Sequence, residues 1–318
     1  MQRWTDLMRG ERFEEAWALS EQALLTRDPA TRDDPALPYH LRWVWGGQKF
    51  EGRHVLVRCY HGLGDTLQFA RYLPLLAERA ASVSLEVQPS LIPLLRSLPG
   101  LARLIPFDPA HPSPPSECDI EITELPFALR SPPAAVPPPY LHAAGAALPQ
   151  RTIGLCYSAG DWDRDRCIPP QLLAPLCHGR TCLTLVAEPT TLPVINPAGC
   201  PFDMQATASL VTSCALVITV DTMIAHLAGA LGRPTWLLLK AEPDWRWTPG
   251  AKRTPCYPAM RLFHQSHPGA WEPVLREVEH ALQSHEFHSA GAPRDEPSVQ
   301  PPPAQPATLL PECSGLVG

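Results

Sequence analysis

The sequence predicts an α/β protein made of two Rossmann-like parallel-sheet halves facing a cleft, preceded by a short helical hairpin. Three observations predict it. Residues 216–239 read as a buried strand, a sharp turn, a helix and a second buried strand, which is one unit of a parallel sheet. The same alternation of apolar strand and amphipathic helix runs through the chain twice. Residues 132–139, holding five prolines, separate the two series and read as a connector.

In residues 1–38, Leu7 and Met8, then Phe13, Ala16, Trp17, Ala23 and Leu24, fall at helical spacing on either side of Gly10. Two short helices and a linker from Asp28 follow from this. One hairpin cannot bury its own apolar face, so it must dock on the main body or end a longer helical array. The first half, 39–139, offers strands at 53–59, 83–87, 104–107 and 119–123, with helices at 66–79 and 91–98. The second half, 140–283, offers strands at 152–157, 182–187, 216–220 and 236–239. Its helices fall at 170–177 and 207–213, after Asp221-Thr222, and at 271–282. Gly232-Arg233-Pro234 ends the helix that Asp221-Thr222 opens. The polar, proline-rich stretch 284–318 has little to bury and is expected to be disordered.

Composition excludes several classes. The chain has 318 residues, enough for two cores. Its 40 prolines are more than double the usual share of roughly 5% and cluster at 106–139 and 293–311, so they mark loops and a tail. A formal charge of −6 with no Lys/Arg-rich stripe argues against a nucleic-acid partner. No apolar run approaches the ~20 residues of a membrane span, and the polar, acidic start does not read as a signal peptide. The ten cysteines lie mostly in apolar segments without a CxxC pair, which points to buried thiols in a reducing cytoplasm.

Four segments can carry chemistry. Gly62-Leu63-Gly64-Asp65 sits at the first strand-to-helix turn, where two glycines allow a tight turn and close approach of a ligand. Asp65 points into the cleft or caps its helix. A dinucleotide fingerprint would want glycine at Leu67; Glu86 stands at a distance suited to a ribose contact. Asp221, Thr222 and His226 cluster at the helix start of the 216–239 unit. Backbone N–H groups there, a Thr222 hydroxyl and His226 suit an anion, and an N-cap with a satisfied histidine is the plainer reading. Ser158 opens a charged loop, 158–166, in which Arg166 is the phosphate partner unless the charges merely solvate the surface. Asp244-Trp245-Arg246-Trp247 either walls a sugar or base by stacking or packs the halves together.

These segments, in this order, resemble the heptosyltransferase-like proteins of glycosyltransferase family 9. They look most like the bacterial subgroup in which that module follows tetratricopeptide repeats. The matching pieces are CYHGLGDTLQFARYLPLL, IGLCYSAGDWDRDRCIPP, VDTMIAHLAGALGRPTWLLL and PDWRWTPG…CYPAMRLF, and residues 9–24 look like a residual repeat. The resemblance implies a GT-B fold and an inverting, metal-independent transfer from a nucleotide-sugar donor to a glycan or protein acceptor, without a cofactor. It implies Asp65 as general base, and Asp221, Thr222 and His226 as diphosphate binders aided by Arg166 and Ser158. Gly62, Gly64, Trp245 and Arg246 would line the cleft, and the hairpin would offer a protein docking surface. Met223 stands where heptosyltransferases usually have glycine, so heptose is not implied as the donor. Two rival readings are a non-catalytic sugar-nucleotide or partner-binding module and a nicotinamide-dependent oxidoreductase.

Overall fold

The computed structural model describes residues 2–160 and 163–284. The expected tail beyond Ser284, and Asp161 and Trp162 of the charged loop, lie outside the described residues. The chain opens with α1 (Gln2–Arg9) and α2 (Phe13–Leu25). The first sheet series comprises β1 (His54–Arg58), α3 (Leu63–Phe69), α4 (Leu73–Ala77), β2 (Ser82–Val87), α5 (Ile92–Leu95), β3 (Leu101–Pro106), β4 (Cys118–Glu121) and α6 (Leu125–Leu129). The second comprises β5 (Ile153–Cys156), α7 (Ala174–Cys177), β6 (Cys182–Thr184), α8 (Met204–Ser213), β7 (Leu216–Val220), α9 (Met223–Ala230), β8 (Thr235–Leu239), β9 (Met260–His264) and α10 (Trp271–Gln283).

Both sheets are wholly parallel, in the order β3-β2-β1-β4 and β6-β5-β7-β8-β9. Such strands are covered on both faces, which is why β5, β7 and β8 are buried along their whole length and read as unbroken apolar runs. The expected helices are shorter than their apolar patterns. The 66–79 helix breaks into α3, a 3₁₀ turn at Ala70–Tyr72 and α4, because Pro74 has no N–H to give and crowds the carbonyl four residues back. Pro93 and Pro175 confine α5 and α7 in the same way, each sitting in the first turn of a four-residue helix. Strand β6 stops at Thr184 rather than 187. Asn196 takes the Thr184 N–H (2.7 Å) and gives to its carbonyl (2.8 Å), and the Thr184 hydroxyl accepts from Val186 N–H, so the edge is closed by side chains. Strand β9 and helix α6 have no counterpart among the expected elements.

A buried charge cluster organises the first sheet. Arg58, fully buried, donates to Glu86 (2.9 Å) and Asp119 (3.3 Å) and to the carbonyl of Ser113 (3.1 Å). Glu86 also takes the Ser113 N–H at 2.7 Å. The cluster therefore pins the proline-rich 108–116 loop across the strand ends. Two further arginines tie the sheets together. Arg71 donates to the Cys256 carbonyl (3.0 Å) and lies 4.8 Å from the ring centres of both Tyr140 and Tyr257. Arg246 reaches from the segment after β8 to α3. After the 132–139 connector, the N–H groups of Tyr140 and Leu141 bond the Ala230 carbonyl at the end of α9.

The α1–α2 pair docks on the main body. Trp4 meets Trp245 edge-on at 5.1 Å, and the Thr248 hydroxyl donates to the Arg9 carbonyl at 2.6 Å. On the other side Arg27 pairs with Glu124 (2.7 Å) and Glu21 with Arg130 (3.1 Å). Removing one member of a buried ion cluster leaves uncompensated charge, at a cost of about 3–5 kcal/mol. Arg58→Met is therefore expected to lower the Tm by well over 5 °C and to free the 108–116 loop for proteolysis. Thermal unfolding and limited digestion measure both.

Candidate functional site

A cavity of about 1060 Å³ opens where the C-terminal ends of both sheets meet α1 and α2. That is just above the usual range for ligand sites, roughly 300–1,000 Å³. Gly62, Gly64, Asp65, Ser158, Arg166, Asp221, Thr222, His226, Trp245 and Arg246 all line it, while Glu86 and Trp247 do not.

The floor is the contact of α3 with α9. A Cβ on Gly64 would lie 3.0 Å from His226 Cδ2 and 3.3 Å from Met223 Cα, so the two helix starts touch through a position with no side chain. This corrects the expected role of the glycine turn. Gly62 is extended (φ −71°, ψ 166°), a conformation open to any residue, and Gly64 is required by helix packing rather than by turn geometry. Asp65 Oδ2 accepts the Gly62 N–H (3.1 Å), so the capping reading holds for one oxygen. The other oxygen accepts from Arg246 Nη2.

Arg246 is largely buried, with 12% of its side chain exposed, and multiply held. Its Nε donates to Gln68 Oε1 (2.6 Å) and its Nη1 to Asp244 Oδ1 (2.8 Å), and its guanidinium lies 4.5 Å from the Trp245 ring. Burial opposes its charge, but Asp244 and Asp65 outweigh that, and its pKa rises. The two tryptophans divide the alternatives offered by the sequence. Trp245 is half-buried in the cavity wall, while Trp247 is fully buried and stacks on His226 at 5.7 Å.

At the start of α9, Thr222 is the N-cap. Its Oγ1 accepts the Ile224 N–H at 3.0 Å and lies 3.8 Å from Cys156 Sγ, the weak partner of its own hydroxyl proton. Asp221 is not a cap; it closes β7, and its carbonyl takes Arg166 Nη1 at 2.6 Å. Burial, then Asp244, pushes the Asp221 carboxyl up to about 6 against the pull of Arg166 and Arg246. His226 is buried, and desolvation with the nearby arginines holds its pKa well below the usual imidazole range, so it is neutral. Its Nδ1 lies 3.0 Å from the Tyr257 hydroxyl. Lys240, immediately after β8, reaches Asp163 at 2.8 Å, and Arg166 Nε lies 3.5 Å from the same carboxylate. The second-sheet wall thus holds two cations, a capped hydroxyl and a neutral histidine around a helix start.

Three cavity residues, Lys240, His61 and Glu124, lie outside the candidates named from the sequence. Lys240 was findable, since it follows a strand on the sheet edge where ligands bind. His61 and Glu124 were not, because their partners, Glu121 and Arg27, are distant in sequence. Burial raises the Glu124 carboxyl despite Arg27, and its Oε2 is buried without a hydrogen-bond partner among the described residues. Glu86, the ribose candidate of the nicotinamide reading, is 1% exposed, committed to Arg58 and Ser113, and absent from the cavity wall.

No protein-family model matches the sequence. Protein FlbA of Caulobacter vibrioides is 25% identical over 88% of this chain, which spans about half (54%) of the length of that relative. Among solved structures, a glycosyl transferase of family 9 from Veillonella parvula superposes with a TM-score of 0.50 at 13% identity, covering 74% of this chain and 91% of that one. TibC, described as an iron-containing dodecameric glycosyltransferase from enterotoxigenic E. coli, gives a TM-score of 0.52 at 15% identity, covering 72% of this chain and 67% of that one. At these identities the likeness establishes a shared mixed α/β glycosyltransferase-like fold.

Two outcomes follow for this site. Gly64→Val should separate α3 from α9; overpacking of about 1–3 kcal/mol exceeds any gain from replacing a helical glycine, and Tm should fall accordingly. Asp221 has a folded pKa above its unfolded value of 3.8. Its contribution is therefore fully favourable below about pH 4 and is lost as pH rises through about 6. Asp221→Asn should be more stable than wild type at pH 7.5, by up to about 3 kcal/mol, with the difference vanishing near pH 4. Denaturant titrations at the two pH values test the sign.

Proposed function

We propose that this chain is a glycosyltransferase that moves a sugar from a nucleotide-diphosphate donor to a hydroxyl acceptor, with inversion at the anomeric carbon and without a metal. The observation that carries this reading is the contact at Gly64, which brings the acidic 62–65 turn and the capped start of α9 into one cavity. The fold shared with the two glycosyltransferase structures supports it. The donor diphosphate lies against α9. Thr222 donates its hydroxyl, His226 donates from Nε2 while Nδ1 accepts from Tyr257, and Arg166 and Lys240 face the charge that develops as the nucleotide leaves. The acceptor, a glycan or a protein hydroxyl, enters from the first-sheet side and loses its proton at the 62–65 turn, where Asp65 stands. The α1–α2 pair walls that side of the cavity, and in this reading it serves the acceptor rather than a separate docking partner.

A non-catalytic binding module is the second reading. It is favoured by the engagement of both Asp65 oxygens, one with Gly62 and one with Arg246. The nicotinamide reading loses its ribose carboxylate in Glu86.

Incubation with ADP-, GDP-, UDP- and dTDP-sugars should release nucleotide from at least one; donor binding with no turnover across acceptors would establish the module instead. Thr222→Ala with His226→Ala removes two hydrogen bonds to a charged ligand, each worth about 1.5–3 kcal/mol, and should weaken nucleotide binding at least tenfold. Among the described residues, no group of three or more His, Cys, Asp or Glu is arranged to hold a metal. In this reading turnover survives a strong chelator, and its loss with restoration by a divalent cation such as magnesium or by iron would overturn the metal-independent assignment.

A further inference from the structure

The turn that opens α3 carries a second group able to take a proton. His61 lies in the cavity wall with about a third of its side chain exposed (33%), and its Nδ1, buried and without an aligned hydrogen bond, is in ion-pair contact with Glu121 Oε1 at 3.0 Å. Glu121 ends β4 beside β1, is 2% exposed, and is fixed by the N–H groups of Thr123 (2.7 Å) and Tyr60 (3.3 Å) and by the Thr123 hydroxyl. The His61 carbonyl takes Gln88 Nε2 at 2.8 Å, so the backbone is held as well. No protein group among the described residues bonds His61 Nε2. Asp65, by contrast, already accepts on both oxygens, and one of them holds the arginine that joins the sheets.

We propose that His61, oriented by Glu121, takes the acceptor proton in the transfer reaction, and that Asp65 serves to hold Arg246. The proposal rests on the glycosyl-transfer reading above. In the step, the acceptor oxygen forms a bond to the anomeric carbon as the bond from that carbon to the phosphate oxygen breaks. The nucleoside diphosphate departs with the electron pair, and the hydroxyl proton passes to His61 Nε2. The resulting imidazolium faces Glu121 and returns its proton to solvent through its exposed edge.

The groups around the ring set its pH range. Burial disfavours the charged ring and Arg246 adds to that, while Glu121 and Asp65 favour it and prevail, so the His61 pKa is raised above its ordinary 6.5. Glu124, the other carboxyl facing the ring, is itself held by Arg27. The base is active above this pKa and is lost as pH falls through it.

The test uses the full chain and the four nucleotide-sugars with water as acceptor, following released nucleotide from pH 5 to 9. Wild type should show an acidic limb with a midpoint above 6.5. His61→Gln should lose that limb and at least about 10²-fold in kcat while keeping its affinity for nucleotide. Asp65→Asn should keep the limb, moved to lower pH by loss of the Asp65 charge, at whatever rate remains. Titration of the His61 ring by NMR should give the same midpoint in wild type, shifted down in Glu121→Gln. An acidic limb retained by His61→Gln and removed by Asp65→Asn would overturn the proposal and make Asp65 the base. A wild type that binds no nucleotide overturns the donor-site reading itself, and His61 with it.

Discussion

The arrangement of this molecule depends on one largely buried cation. Arg246 sits after β8, in the second sheet series, yet it is neutralised by Asp65 on α3 of the first as well as by Asp244 beside it. A guanidinium removed from water has to find its counter-charges and acceptors inside the protein, and this one finds them on both sides of the cavity. The direct contact of α3 with α9 at Gly64 and the Arg71 stack on Tyr140 and Tyr257 act on the same boundary. Together they fix the distance between the 62–65 turn and the start of α9 across the cavity.

Around that fixed centre the protein accepts local instability. Asp221 is kept beside Asp244 in a position where its charge is disfavoured, and His226 is kept neutral among arginines. Both line the cavity, and neither improves the fold by being ionisable. Perturbed groups gathered on one wall of a large pocket, away from the apolar interior of either sheet, are the pattern expected where binding rather than packing has set the residue types.

Much of this was legible in the sequence, and the failures have physical causes. Interior strands of an all-parallel sheet are covered on both faces, so β5, β7 and β8 stand out as apolar runs, and the helix after β7 is announced by Thr222. Helix lengths were not legible, because Pro74, Pro93 and Pro175 cut runs whose apolar spacing continues past them. Strand β9 follows a long loop and alternates with Arg261 and His264, so its run is broken. Asp65, Thr222 and His226 could be found from their place between a strand and a helix. Arg246 could be found as a cleft residue, but its bond to Asp65 spans 181 positions and leaves no local trace. The same holds for the Glu121 partner of His61 and the Glu86 partner of Arg58, since a buried ion pair is specified by the fold and not by spacing.

The α1–α2 pair has a mechanical consequence. It is bonded to Thr248 and the Pro243 carbonyl on one side of the cavity and to Glu124 and Arg130 on the other. A rigid-body swing of one sheet away from the other about the 132–139 connector would have to shear one of these sets of bonds. The width of the cavity mouth is therefore governed by how α1 and α2 seat, as a tie spanning a joint governs how far the joint can open.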